Sequence, residues 1–96
     1  MAMAFQGLVK LSEEAAEVIQ VAQKLVAYPS LTSQAARDEG WTHPDGTHLT
    51  IRLQEEIGDV LAAIEFVAGR LRLDRRTIEA RRVFKLALFE QWDKEP

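Results

Sequence analysis

Apolar residues in this chain recur at steps of three and four, and no stretch alternates apolar with polar residues for the length of a strand. Leu8, Leu11, Ala15, Val18, Ala22 and Leu25 form one such stripe, which predicts a long helix over about residues 3–27. Tyr28-Pro29 ends it, because proline disfavours the α conformation in the residue before it. Leu53, Ile57, Val60, Leu61, Ile64, Val67 and Leu71 form a second stripe over about 49–71, and Arg70 and Arg72 suit the negative end of that helix dipole. Asp74 is placed as the N-cap of a last helix over about 75–92, which carries Ile78, Val83, Phe84, Leu86, Leu88 and Phe89. Between the first two patterns, residues 30–39 read as a short, weakly amphipathic helix. Residues 40–48 read as turn chemistry around Pro44-Asp45-Gly46. The expected fold class is all-α: an antiparallel bundle of three long helices plus a short one.

The last helix is apolar on more than one side, with Val83, Phe84, Leu86, Ala87, Leu88 and Phe89 nearly continuous. A helix of that kind is either buried or paired with another subunit. Homo-oligomerisation, most simply a two-fold homodimer completing the bundle, is therefore expected, unless the short second helix covers the surface. Ninety-six residues make one domain, residues 1–96, since chains divide only beyond roughly 250–300 residues. The absence of cysteine excludes a disulfide framework, a thiolate zinc site and a cysteine nucleophile. A net charge of −3 argues against binding to nucleic-acid backbone. No run is apolar for long enough to span a bilayer or to form a secretory leader, so no membrane association and a cytoplasmic location are expected.

Two acidic clusters carry the chemistry. Glu13, Glu14 and Glu17 lie on the first helix, and Glu55, Glu56 and Asp59 on the next long one. Each holds a pair at i, i+3, which puts two carboxylates on one side of a helix about one turn apart. With each apolar stripe set at zero, Glu14 falls about 80° and Glu17 about 140° to one side. Glu56 and Asp59 fall about 70° and 130° away in the same sense, while Glu13 and Glu55 point away from the stripe. Antiparallel packing would bring Glu14, Glu17, Glu56 and Asp59 together at the edge of the shared core. Four carboxylates without His or Cys make a hard, oxygen-only site that suits Mg²⁺ or Mn²⁺. The plainer alternative is that these are solvated helix faces.

LSEEAAEVIQVAQKL followed by LQEEIGDVLAAIEFV resembles the MazG-like branch of the all-α nucleoside triphosphate pyrophosphohydrolases, whose signature is EExxE followed by ExxD on the next long helix. Glu13, Glu14 and Glu17 match the first part, and Glu56 and Asp59 the second; about two-thirds of the chain is covered. The resemblance implies helices completed as a homodimer or homotetramer, and Mg²⁺-dependent hydrolysis of a nucleoside triphosphate between its α and β phosphates. It implies Glu14, Glu17, Glu56 and Asp59 as metal ligands. A carboxylate not fully engaged with metal is then expected to act as the catalytic base, Glu17 first and Glu13 second. Two departures stand out. The 38 residues between Glu17 and Glu56 exceed the family's usual spacing. Lys85 fits a family lysine toward the nucleotide, but the polar residues that follow it in the family are missing here.

Other residues have a functional and a plain reading each. Arg70, Arg72, Arg75, Arg76, Arg81 and Arg82 either contact phosphates, Arg82 foremost, or form a solvated corner. Lys24, two turns after Glu17, is a candidate phosphate contact alongside Lys85. Trp41 and Trp92 would stack on a nucleobase or fill a hydrophobic edge. His43, Asp45 and His48 offer three donors in one loop, a weak metal pattern. Gly58 is placed to permit close helix approach beside the carboxylates. Two alternatives to the pyrophosphohydrolase remain. One is phosphoribosyl-ATP pyrophosphohydrolase, although the Tyr-His pair usual after the Asp of that branch is absent after Asp59. The other is a non-catalytic helical interaction module.

Overall fold

A computed structural model describes residues 5–27 and 42–94. The predicted short helix at 30–39, the Tyr28-Pro29 stop and Trp41 lie outside the described residues. The rest is all-helical: α1 spans Gln6–Ala27, α2 Leu49–Arg70 and α3 Arg75–Lys94. The one extended feature among the described residues is an isolated bridge between Thr42 and His48, just ahead of α2. None of the described helices is long and apolar enough to cross a membrane.

α1 and α2 pack antiparallel along one seam. At one end Phe5 stacks on Phe66 with ring centroids 5.7 Å apart. At the other, Lys24 on α1 meets Asp45, ahead of α2, at 3.0 Å. Gly7 is buried under the aromatic pair, and a Cβ there would lie 2.5 Å from the Phe5 ring. Burial along the seam follows the expected steps of three and four, through Gly7, Leu11, Glu14, Val18, Val21 and Leu25 on α1. On α2 it runs through Leu49, Leu53, Glu56, Val60, Ala63 and Val67. Glu14 and Glu56 thus lie in the seam itself rather than about 70–80° to its side. The displacement has a physical cause. Both helices also carry apolar residues on their outward faces, among them Leu8 on α1 and Ile57, Leu61 and Ile64 on α2, and these pull the centre of the apolar stripe away from the face that packs.

Among the described residues α3 forms no comparable seam, and it buries none of its own residues. Its first turns lean on the end of α2, where Arg75 and Ile78 line a shallow cleft with Leu61, Ile64 and Ala68. Farther along, Val83, Phe84, Leu86, Phe89 and Trp92 are exposed. The radius of gyration is 16.5 Å, where a compact chain of this length has about 12.5 Å. Among the described residues, α1 and α2 therefore form a helical pair from which α3 projects.

The α2–α3 corner shows how sequence sets these boundaries. The Leu73 N–H donates to the Ala68 carbonyl at 3.0 Å and the Arg72 N–H to that of Gly69 at 3.3 Å, the paired bonds of a Schellman ending. Arg72 sits at φ 52°, in the left-handed region where glycine is favoured. Asp74 then caps α3, its carboxylate accepting from the Arg76 N–H and the Thr77 hydroxyl, each at 2.9 Å. Those bonds, that from Thr77 first, hold the Asp74 pKa below its ordinary value. Arg72→Gly is expected to raise stability by about 1 kcal/mol, read as a higher urea midpoint at unchanged slope, because it relieves the left-handed strain. A lower midpoint would mean that the arginine side chain contributes more than its backbone costs.

Candidate metal centre

The antiparallel seam sets α1 residues Glu14 and Glu17 against α2 residues Glu56 and Asp59, and one carboxylate oxygen from each lies within 4.8 Å of the others. Within each helix the i, i+3 spacing places the pair one turn apart, and the antiparallel register faces the two pairs across the seam. Glu56 is 4% exposed, Glu14 and Glu17 are half-buried, and Asp59 opens to solvent. The charge is poorly compensated. The Arg52 Nε lies 2.9 Å from Glu56 Oε1, an i, i+4 pair on α2. Glu14 Oε2 and Glu56 Oε2 are buried without any hydrogen-bond partner. Buried acceptors are normally satisfied, and an orphaned carboxylate oxygen is more costly than a neutral one. Two such atoms in one four-carboxylate cluster fit a cation-binding site, and an all-oxygen donor set fits a hard divalent ion.

The electrostatics agree. The Glu56 pKa is pushed up from its ordinary 4.5, first because the Glu17 carboxylate lies against its carboxyl and favours the protonated form, then by burial and by repulsion from Glu17 and Asp59; Arg52 opposes the shift. Burial, then the charges of Glu17 and Asp59, push Glu14 up from 4.5 as well. A raised folded-state pKa means that the folded protein holds these protons more tightly than the unfolded chain does. The stability they contribute is present below about pH 4.5 and is lost as pH rises through the raised values. In EDTA, the melting temperature is therefore expected to fall as pH rises from 4.5 to 7. Mn²⁺ should restore it at pH 7, since an ion bound to the folded state alone at a hundredfold over its Kd adds about 2.7 kcal/mol. A melting temperature in EDTA that rises over this interval would contradict the assignment.

Beside the cluster lies a cleft of about 270 Å³, lined by Glu17, Gln20, Val21, Lys24, Thr47, Leu49 and Arg52. Glu17 belongs to both cluster and cleft. Lys24, the candidate phosphate contact, lines this cleft, but its ammonium is engaged by the Asp45 carboxylate. Asp45 also accepts from the Thr47 N–H at 2.9 Å and meets His43 Nδ1 at 3.0 Å. The bonds from Thr47, Lys24 and His43 lower its pKa strongly, those from Thr47 foremost. His43, Asp45 and His48 do not gather three ligand atoms; among the described residues the carboxylates alone do so.

The remaining candidates lie elsewhere. Glu13 is exposed and pairs with Lys10 at 3.1 Å, outside the cluster. Arg82, Lys85 and Trp92 all lie on α3, which lends no residue to the cluster or the cleft. Arg82 bonds Glu79, with Nε to Oε2 at 2.9 Å, and Trp92 packs on Phe89 at 5.5 Å. Arg70 lies over the Phe66 ring and Arg81 over that of Phe84, so three of the six arginines already have partners. No atom lies within 4 Å of a Cβ built at Gly58, so close helix approach does not require that glycine within one chain. Arg52 was not among the expected site residues, although its position four before Glu56 was a readable signal.

Compared with protein-family models, with curated proteins and with solved structures, the chain matches none.

Proposed function

We propose that Glu14, Glu17, Glu56 and Asp59 hold Mg²⁺, with Mn²⁺ as a substitute, and that the protein hydrolyses a (deoxy)nucleoside triphosphate between the α and β phosphates. The observation that carries this reading is the cluster of four carboxylates with two orphaned buried oxygens, opening through Glu17 into a cleft with cationic side chains. The EExxE and ExxD resemblance supplies the reaction. A bound divalent ion would neutralise phosphate oxygens and acidify a water.

The chain's own residues do the rest. The phosphate chain lies in the cleft with Lys24 toward its far end, at the cost of the Lys24–Asp45 pair. Glu17, which borders both cluster and cleft, takes the proton of the water that attacks the α phosphorus. The bond from that phosphorus to the bridging oxygen breaks, and monophosphate and pyrophosphate leave. A second copy of the chain covers the outward face of α2 and the apolar sides of α3, forming the homo-oligomer. Residues Arg82, Lys85 and Trp92 then serve the nucleotide only in that assembly.

The reading is tested with a panel of ribo- and deoxyribonucleoside triphosphates, in Mg²⁺ and in EDTA. Equimolar monophosphate and pyrophosphate in Mg²⁺, and neither in EDTA, is the expected result. Release of inorganic phosphate with diphosphate would place the cleavage elsewhere. No product from a folded, metal-loaded protein would overturn the reading and direct the assay to phosphoribosyl-ATP.

A further inference from the structure

We propose that Arg52 joins the carboxylate cluster to an anion subsite in the neighbouring cleft, holding Glu56 through Nε while the other nitrogens of its fork take oxygens of a pyrophosphate group. Four observations meet at this residue. Its Nε lies 2.9 Å from Glu56 Oε1, so one edge of the guanidinium is fixed on the most buried carboxylate. Among the described residues Glu56 is the one partner of its side chain, which is 54% exposed and lines the cleft. Lys24 is the cleft's other cation, contributed by α1, and already holds an anion in the form of the Asp45 carboxylate. The first turn of α2 also borders the cleft through Leu49, and its N-cap, His48, supplies no side-chain cap bond to that turn.

The chemistry selects arginine. A guanidinium carries five donors in a planar fork, enough to serve a carboxylate at one edge and a phosphate at another. A lysine provides charge without that geometry. The inference deepens the proposed hydrolysis and rests on it for the class of ligand, placing the departing pyrophosphate end of the substrate between Arg52 and Lys24. The acidic cluster would then hold the opposite end, where the attack occurs.

The test separates this role from a structural one. Pyrophosphate is titrated calorimetrically into the wild type, Arg52→Gln and Arg52→Lys with saturating Mn²⁺, and Mn²⁺ alone is titrated into each. Arg52→Gln is expected to weaken pyrophosphate binding about tenfold or more, the scale of a lost charge-assisted bond. Its Mn²⁺ affinity should fall by less than its pyrophosphate affinity, because the repulsion removed with a neighbouring cation offsets the loss of a partner that orients Glu56. Arg52→Lys should recover part of the pyrophosphate affinity. Unchanged pyrophosphate binding in Arg52→Gln would overturn the inference, as would a parallel loss of Mn²⁺ in both variants at normal helical content. Wild-type protein that binds pyrophosphate yet hydrolyses no triphosphate would sink the proposed reaction and leave the subsite standing.

Discussion

Replacing Glu56 by glutamine is expected to abolish metal-dependent turnover and at the same time to stabilise the metal-free protein. Glu56 is the most buried of the four carboxylates, with one oxygen on Arg52 and the other orphaned. Glutamine keeps its shape and its acceptor toward Arg52. It adds an amide N–H where Glu56 meets Glu17, so that two repelling carboxylates become a donor and an acceptor. The loss of activity should exceed about 100-fold, since disturbing even an outer-shell partner of a metal ligand costs 10–100-fold. In EDTA at pH 7 the variant should melt several degrees above the wild type, and Mn²⁺ should no longer raise that temperature. The opposite movement of stability and activity marks a site held at the expense of the fold. A variant that melts lower in EDTA would show that the Glu56 charge is structural.

Leu61→Asp is expected to convert the proposed oligomer into a monomer and to lower its melting temperature sharply. Leu61 is 59% exposed in the single chain and belongs to the outward apolar face of α2, together with Ile57 and Ile64. That face borders the first turns of α3, whose Val83, Phe84, Leu86 and Phe89 continue the exposed apolar surface. Exposed apolar side chains gathered on a helix face are a mark of an interaction surface. On a monomer's surface the substitution would change stability by no more than about 0.5 kcal/mol. Between two copies it would bury an unpaired charge at a cost of several kcal/mol. Light scattering behind size exclusion separates the two cases: a wild-type oligomer and a monomeric variant are expected, whereas a monomeric wild type would contradict the proposed assembly.

The helices were legible because period and caps agree. The stripe of Leu8 to Leu25, the Asp74 cap and the Arg70–Arg72 ending all locate boundaries within a few residues of those found. The convergence of Glu14, Glu17, Glu56 and Asp59 was legible from their matching angles on two helices, given antiparallel packing. Their depth was not. A stripe averaged over all apolar residues cannot separate a face that packs inside the chain from one left outside it, so Ile57, Leu61 and Ile64 masked the seam position of Glu56. The roles of Lys24 and Arg52 depend on a cleft formed between α1 and residues ahead of and within α2, which a single helical wheel does not contain. Arg82 and Trp92 suit a nucleotide by side-chain chemistry and Lys85 by its place in the resembled motif, but α3 lends none of the three to the cleft among the described residues.

The central claim is that the seam between α1 and α2 is a divalent-cation centre, and electron paramagnetic resonance of a Mn²⁺ titration tests it most directly. The free-ion signal should be lost on adding wild-type protein, with saturable binding of at least one ion per chain that Mg²⁺ displaces and Glu56→Gln eliminates. An undiminished free Mn²⁺ signal at excess folded protein, or equal binding by the wild type and Glu56→Gln, would contradict it.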